Sequence, residues 1–367
     1  MKLLKYNQKY SYFISNLNIT SLRLDGMTDE RLKDLCELDF KNLRELIFGV
    51  CSLNIIKILC STKFEKLEKL FLPTVKDISD LENANFKGLK ELSFFCSSNI
   101  YGLEKLKFTK LEKLFITAYK LIDINSLEKS NFKDLKELKI HGKINDINIL
   151  EKVNFKKLET LNLSNEFLSD INVLERVNFQ ELKELVLYVN YDIDVLEKVK
   201  FRKLERFVAR FKTKDISIKV LEKVNFPELK ELSLSNVDKT ILDVLQNVKF
   251  ERLEILNLLI IGLTNSELEN KMFVEKFKEL KYLQLHDEQN LNNINFLEKL
   301  SLKKLKKLDL ESDGISDINA LQRIHFDNLE ILNLKSNKLS NFPEKVKLQK
   351  LQRLDLSNNN LSEINFL

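Results

Sequence analysis

The sequence predicts an α/β solenoid: a stack of short tandem repeats, each with one strand of a parallel β-sheet and one short helix or helical turn. Three observations lead to this prediction. A segment with leucines at the spacing L-x-x-L-x-L returns along the whole chain, a second apolar segment separates successive copies, and Gly 7 and Pro 3 are low counts for 367 residues. Because tight irregular loops depend on Gly and Pro, their scarcity favours a regular, repeating chain path.

The strand segment is the most regular element. Its last two leucines are two residues apart, so in an extended strand both side chains point to the same side, into the stack. A single strand cannot bury them, whereas stacked copies form a continuous core. Ile19 begins a divergent first copy, and fourteen more follow at steps of 22 to 27 residues, with their first leucines at Leu43, Leu67, Leu89, Leu111, Leu135, Leu158, Leu182, Leu204, Leu229, Leu253, Leu280, Leu305, Leu329 and Leu351.

The second segment, here called the return limb, is clearest as DINILEKVNF (146–155), DINVLERVNF (170–179) and DIDVLEKVKF (192–201). Its apolar spacing predicts a short helix followed by re-entry into the stack. Asp146 and Asp170 stand where a helix N-cap is expected. Because the return limb is bulkier than the strand, we expect the stack to curve with the sheet on its concave side.

A phenylalanine precedes almost every strand segment. Aromatic residues at strict repeat spacing predict a packed spine and not a ligand site. The positions are Phe40, Phe64, Phe86, Phe108, Phe132, Phe155, Phe179, Phe201, Phe226, Phe250, Phe277 and Phe326, with Leu302 and Leu348 as substitutes.

These segments resemble the leucine-rich-repeat family, whose unit pairs an LxxLxLxxN strand segment with a helical or extended return limb. The resemblance covers essentially the whole chain. It implies an α/β leucine-rich-repeat solenoid, a curved horseshoe with a parallel β-sheet on the concave face and short helices or helical turns on the convex face. The family's Asn, whose side chain bonds neighbouring turns, stands only at Asn190, Asn337 and Asn359, so we expect irregular turns. The copy at 351–364 looks like the phosphatase-regulator and internalin-type members, which implies binding.

The predicted organisation is an N-terminal cap segment, residues 1–18, followed by a solenoid of about fifteen repeats, residues 19–367. The last repeat carries no polar cap, although solenoids usually need one. We therefore expect either that Leu361, Ile364 and Phe366 lie at an exposed end, where this C-terminal repeat could self-associate, or that the rest of the natural protein or a partner covers them.

Charge and cysteine content narrow the class of protein. The 60 Lys+Arg and 55 Asp+Glu are interleaved and leave a net charge of +5, which favours a solvated surface and makes nucleic acid an unexpected partner. The cysteines, Cys36, Cys51, Cys60 and Cys96, form no CxxC pair. No signal peptide opens the chain, and no apolar run reaches the roughly 18 residues of a membrane span. We expect a cytoplasmic or otherwise intracellular protein.

Residues for catalysis are missing from the pattern. His141, His286 and His325 lie in different repeats without metal-ligand spacing, and no phosphate-binding loop or nucleophile motif occurs. Glutamates recur at one repeat position beside lysines, at Glu91, Glu137, Glu184 and Glu231, which predicts a salt-bridged strand surface. We therefore expect a protein that is not an enzyme and holds no cofactor or metal.

The concave face is the expected site for a protein partner, because large apolar side chains where solvent is expected are the usual anchors of an interface. The predicted set is Ile47, Phe71, Phe95 and Phe115 in the early copies and Val186, Tyr188, Arg206, Val208 and Arg210 in the middle ones. Later copies are polar, with Asn257, Gln284, Asp309, Asn333 and Asp355. The alternative is that irregular early repeats bury the aromatic side chains against a neighbouring loop.

Copy nine, residues 201–214, is locally basic, with Arg206 and Arg210 on the predicted concave side and Lys212 and Lys214 just after them. This predicts contact with an acidic protein patch or a phosphate, unless it is a chance cluster in a Lys-rich sequence.

Three functions fit these patterns. The leading one is a non-enzymatic scaffold that binds a macromolecular partner on the concave sheet. The alternatives are a regulatory or effector subunit that targets an enzyme or a host protein, and a structural array whose repeats serve assembly. A structural array should use its faces evenly, and the concave face is uneven.

Overall fold

The computed structural model describes residues 18–26, 28–30, 33, 40–49, 55–60, 64–75, 78–97, 100–144, 146–165, 167–168, 170–270, 277–286, 291–300 and 302–362. The chain forms two compact units, Met1–Leu182 (unit 1) and Lys183–Leu367 (unit 2). All but the last residue of the predicted N-terminal cap segment, 1–18, lies outside the described residues, so this segment and its boundary with the solenoid stay predictions.

Fifteen parallel strands, one for each predicted copy, lie in chain order in one sheet. Unit 1 contains β1 (Ser21–Leu24), β2 (Glu45–Phe48), β3 (Lys69–Val75), β4 (Glu91–Cys96), β5 (Lys113–Ile122), β6 (Glu137–Ile144) and β7 (Thr160–Leu163). Unit 2 contains β8 (Glu184–Val189), β9 (Arg206–Phe211), β10 (Glu231–Asp238), β11 (Ile255–Ile261), β12 (Tyr282–His286), β13 (Lys307–Asp309), β14 (Ile331–Asn333) and β15 (Arg353–Asp355). The predicted parallel sheet and its fifteen strand copies are confirmed.

The core follows from the leucine spacing. Leu46, Leu70 and Leu92 pair in register between neighbouring strands and are fully buried, because alternate strand residues point to the same side. The predicted phenylalanine spine is also confirmed, since every one of its twelve rings is buried. In unit 1 the rings of Phe40, Phe64, Phe86 and Phe108 follow one another with centroids 6.2–6.4 Å apart.

The return limbs are mostly single 3-10 turns. Those described are Ile78–Asn83, Leu103–Lys105, Asn125–Leu127, Asn148–Glu151, Asn172–Glu175, Asp194–Glu197, Lys219–Glu222, Asn295–Lys299 and Asn319–Gln322, and the short α-helices described are α1 (Ile55–Cys60), α2 (Ile241–Asn247) and α3 (Asn265–Asn270). A limb of about four residues is too short for the α-helical hydrogen-bond pattern to repeat, which favours the tighter turn. The predicted N-cap position is off by one residue: the N-caps are Ile147 and Ile171. Asp146 and Asp170 precede them, and their carboxylates accept the backbone N–H two residues on, at 2.7 and 2.9 Å.

Asparagine side chains fix several turns. Asn337 and Asn359 bond the backbone of their own and neighbouring turns, and Asn190, at the same position of its repeat, is exposed. Two asparagines missed by the sequence reasoning, Asn165 and Asn236, stand one residue earlier in their repeats and each donates to a carbonyl of the preceding repeat. The turns are therefore held by Asn at two alternative positions.

Two columns of charged side chains run across the strands, just before and at the start of each one. The first column reads Arg44, Glu68, Lys90, Glu112, Lys136 and Glu159 in unit 1, and Lys183, Glu205, Lys230, Glu254 and Lys281 in unit 2. The second, one residue later, reads Glu45, Lys69, Glu91, Lys113 and Glu137 in unit 1, and Glu184, Arg206 and Glu231 in unit 2. Successive members form ion pairs, such as Arg44–Glu68 at 2.8 Å and Lys113–Glu137 at 2.9 Å. The predicted salt-bridged strand surface is confirmed.

Candidate binding surfaces on the sheet

The open sheet face is defined here as the side of the sheet turned away from the buried leucines. Strand alternation decides which residues reach it, because every second side chain points away from the core. All nine residues predicted for partner binding lie on it: Ile47, Phe71, Phe95 and Phe115 in unit 1, and Val186, Tyr188, Arg206, Val208 and Arg210 in unit 2. Their placement follows the strand pattern, and their role in binding stays a prediction.

In unit 1 an apolar row crosses the open sheet face. Ile47 pairs in register with Phe71, and Phe115 lies two strands further on, beyond the small Ser93. All three large side chains are half-buried, so each keeps an accessible surface. Lys139 follows in the row and holds its ammonium 5.0 Å from the Phe115 ring centroid, a cation–π contact.

Glu137 anchors the charges beside this row. Its carboxylate accepts Lys113 at 2.9 Å and Lys139 at 2.5 Å. Burial would raise the pKa of Glu137, but the hydrogen bonds from the two ammonium groups outweigh it and lower the pKa below its usual value. Lys139 is therefore fixed over the Phe115 ring by a carboxylate that stays ionised.

Phe95 lies in the next row towards the C-terminal ends of the strands. It is 38% exposed and stacks on Tyr119, with ring centroids 5.7 Å apart and planes 9° from parallel. His141 occupies the same row two strands along. Burial, and then the charge of Lys139, lower the pKa of His141, so its ring is neutral at pH 7. The row offers aromatic surface and no anionic group.

In unit 2 the two arginines of β9 differ in what they can do. Arg206 bonds Glu184 and lies 2.9 Å from Glu231. Burial would lower the pKa of this guanidinium, but the two carboxylates raise it, so its charge is already neutralised within the sheet. Arg210 is exposed and rests over the Tyr188 ring at 5.7 Å. In the basic segment of copy nine, the charge of Arg210 is therefore accessible and that of Arg206 is not, and contact of this segment with a partner stays a prediction.

The later repeats of unit 2 carry polar groups on the open sheet face, as predicted. The Asn257 amide donates to the Ser233 hydroxyl at 2.9 Å, and a cleft of about 130 Å³ opens beside them, with Gln284 and His286 in its lining. This cleft is smaller than the roughly 300–1,000 Å³ of a typical small-molecule pocket.

Sequence reasoning missed the most exposed apolar side chains. Tyr101, Tyr119, Leu121 and Phe167 are 63, 60, 53 and 48% exposed, and all lie at or beyond the C-terminal ends of strands in unit 1. The repeat pattern offers no signal for them, because they stand outside its leucine positions. Phe95, at 38%, is the next most exposed large apolar side chain within the described residues.

The described residues offer little for a metal site or a reactive cysteine. The described residues contain no cluster of His, Cys, Asp and Glu that could hold a metal ion. Burial raises the pKa of the Cys96 thiol to about 11 and also raises that of Cys60, which disfavours the reactive thiolate. Cys36 and Cys51 lie outside the described residues.

Two further predictions concern the C-terminal end of the chain and membrane-spanning segments. Leu361 is half-buried, while Ile364 and Phe366 lie outside the described residues, so the exposed C-terminal end and self-association through it stay predictions. In the ranges that the structure describes, no helix has both the length and the apolar character to cross a membrane.

Comparison with known proteins rests on structure, because no family model and no curated protein matches the sequence. An internalin of Listeria monocytogenes, inlF, shares 22% identity over 97% of this chain and 85% of its own, with a TM-score of 0.49. A leucine-rich-repeat protein of Leptospira interrogans shares 18% identity over 94% and 86%, with a TM-score of 0.47. A plant peptide hormone receptor, RGFR1, solved in complex with RGF2, shares 15% over 94% and 70%, with a TM-score of 0.34.

The fold is identified by the chain's own geometry. Each L-x-x-L-x-L copy forms one strand, most of the described return limbs form a short 3-10 turn or helix, and the strands stack in parallel around a buried phenylalanine spine. These are the features of the leucine-rich-repeat solenoid, and that is the fold of this chain.

Proposed function

We propose that this chain is a binding module that holds a protein partner on its open sheet face and performs no catalysis. One observation carries the proposal: half-buried apolar side chains, among them Phe71, Phe115, Val186 and Tyr188, stand on the face of the sheet that the leucine core does not use. Such side chains add nothing to the core, and they are the residue types that anchor protein interfaces. The cation–π contacts of Lys139 and Arg210 hold two of these rings in place.

The test is crosslinking capture with the full chain as bait, beside variants of each face taken separately. Phe71→Asp with Phe115→Asp alters unit 1, and Val186→Asp with Tyr188→Asp alters unit 2. We expect at least one pair to lower capture of a defined protein about tenfold or more, because a charge replaces an interface anchor. Lys129→Asp with Lys152→Asp, exposed on the return limbs, is the control and should leave capture unchanged.

Each variant must keep the circular dichroism of the wild type. Equal capture by all the folded variants would refute binding on the open sheet face. A variant that unfolds would show instead that its side chains belong to the core, and the milder replacement by Ser then repeats the test.

A further inference from the structure

The exposed apolar side chains of unit 1 form a connected strip, here called the aromatic edge: Phe95, Tyr119, Leu121 and Phe167. Phe95 and Tyr119 stack directly on each other. Leu121 precedes Ile122, which pairs with Ile144 of β6, so Leu121 lies beside Lys143 on the neighbouring strand. Lys143 in turn sits 4.9 Å over the Phe167 ring. Four consecutive repeats therefore contribute to one strip.

The strip protrudes because β5 is irregular. Between the pairs Ala118–Gly142 and Ile122–Ile144, three residues of β5 face a single residue of β6, and those three, 119–121, are all exposed. A bulge of this kind is a device for redirecting side chains out of a sheet. Gly142 lets the two strands stay close there: its φ is +110°, and a Cβ at this position would lie 2.0 Å from the Ala118 carbonyl oxygen.

The size of the strip is that of a binding site. With about 200 Å² for each such side chain, the observed exposed fractions leave on the order of 400 Å² of apolar surface, as large as the largest patch on a typical monomer. Three inter-strand steps of about 4.8 Å span roughly 14 Å, the length of about four extended residues. The strip thus suits one short peptide segment.

The charges on the strip are cationic. Lys120 and Lys143 are exposed, and the described residues supply neither with an ion pair, whereas Lys113 and Lys139 on the same two strands are each bound to a glutamate. The acidic residues that follow the two strands, Asp123 and Asp146, are bonded to the backbone of their return limbs. Ammonium groups without a carboxylate beside exposed aromatic rings are complementary to an acidic partner.

We propose that the aromatic edge binds an acidic peptide segment of the partner, in which an apolar side chain packs on Tyr119 and Leu121 while carboxylates flank it at Lys120 and Lys143. This inference rests on the proposed binding function and gives the chemistry of its ligand. Placement of the carboxylates beside Lys120 and Lys143 explains why these two lysines depart from the paired pattern of their strands.

The probe is a phage-displayed library of random twelve-residue peptides, selected on the full chain, with binding of the enriched peptides measured by fluorescence anisotropy. We expect an enriched motif with acidic residues on both sides of a Leu, Phe or Trp. Lys120→Glu with Lys143→Glu should weaken these peptides about tenfold or more, and a selection on that variant should enrich basic peptides instead. Lys129→Glu with Lys152→Glu changes the charge equally on the return limbs and should alter binding less than about twofold.

The outcomes separate this inference from the proposed function. Enrichment of no peptide, of neutral peptides, or of peptides equally weakened by the control pair would overturn the aromatic edge as an acidic-peptide site. Peptides lost with Phe71→Asp and Phe115→Asp but kept with Lys120→Glu and Lys143→Glu would support the open sheet face and still refute the edge. Binding of the wild type to vesicles containing phosphatidylserine, abolished by Lys120→Glu with Lys143→Glu, would assign the edge to a lipid surface and refute a peptide ligand.

Discussion

Asn337 is the residue whose removal should most clearly expose how the turns are held. Its side-chain oxygen accepts the backbone N–H groups of Asp313 and Ile315 at 3.1 and 3.0 Å, and its amide donates to the Leu310 carbonyl at 2.7 Å. Its bond to the Leu334 carbonyl matters less, because Asn359 also donates to that oxygen. Asn337→Ala therefore deprives three backbone groups of a partner at a site where Asn337 is 6% exposed.

Each buried group left without a partner costs about 1–3 kcal/mol, so with some relief from water we expect a loss of roughly 3–4 kcal/mol in the free energy of unfolding. The comparison substitution Asn236→Ala removes the hydrogen bond to the Phe211 carbonyl and puts Ala at a φ of 61°, and should cost about 2 kcal/mol. Urea unfolding followed by circular dichroism gives both values. Because solenoid repeats contact only their neighbours, hydrogen exchange in Asn337→Ala should accelerate first in β13 to β15. Equal losses in the two variants, or uniform acceleration along the chain, would refute this account of the turns.

Three further predictions concern single residues. Gly142→Ala should lower the free energy of unfolding by about 3 kcal/mol or more, because it adds a steric clash to a positive φ. The control Gly262→Ala, at φ +73°, adds a Cβ that meets no neighbouring atom within 4 Å and should cost about 1 kcal/mol. Similar unfolding midpoints for the two variants would contradict the close approach at Gly142. Because the pKa of Glu137 is lowered in the fold, its ion pairs stabilise the fold at a pH above the usual glutamate pKa, and this stabilisation is lost as the pH falls through the lowered pKa. The difference in unfolding free energy between wild type and Glu137→Gln should therefore shrink between pH 7 and pH 3. A difference that stays constant over this range would contradict the ion pairing of Glu137. With a pKa of about 11, Cys96 should resist iodoacetamide at pH 8 until the chain unfolds, as peptide mass spectrometry would show; rapid labelling of the native protein would be inconsistent with the buried thiol.

The fold was predictable because its determinants are local and repeated. The two-residue spacing of leucines such as Leu185 and Leu187 fixes which side of each strand is buried, and fifteen copies of one pattern leave little ambiguity about strand count. The alternation that buries the leucines also places Phe71 and Tyr188 on the open sheet face. The type of helical turn was less predictable, because in a return limb of four residues the packing determines whether the geometry is α or 3-10.

The features that sequence reasoning missed depend on small irregularities in register. Asn165 and Asn236 hold turns from a position one residue earlier than the family pattern, so a fixed offset overlooks them. Tyr119 and Leu121 are exposed because β5 carries extra residues against β6. The length of this copy, 24 residues from Leu111 to Leu135, lies within the range of the other copies and gives no sign of the irregularity. The charge of Arg206 looked available in the sequence, yet it is neutralised by glutamates 22 residues before and 25 residues after it.

Because of the two charged columns, the charge pattern of the sheet repeats every two repeats and not every single repeat. Between Leu43 and Leu229 the sign alternates from one repeat to the next along each column, with uncharged Thr160 as a gap in the second column, and the columns are out of phase. Deleting one charged repeat there would set carboxylate against carboxylate in one column and ammonium against ammonium in the other. Like charges directly opposite each other destabilise a sheet by about 0.2–1 kcal/mol for each pair. Deleting two neighbouring repeats keeps the alternation. Alternate copies in this range are 44 to 47 residues apart, and that is the length by which this part of the array can be shortened or extended while the charges of both columns still alternate.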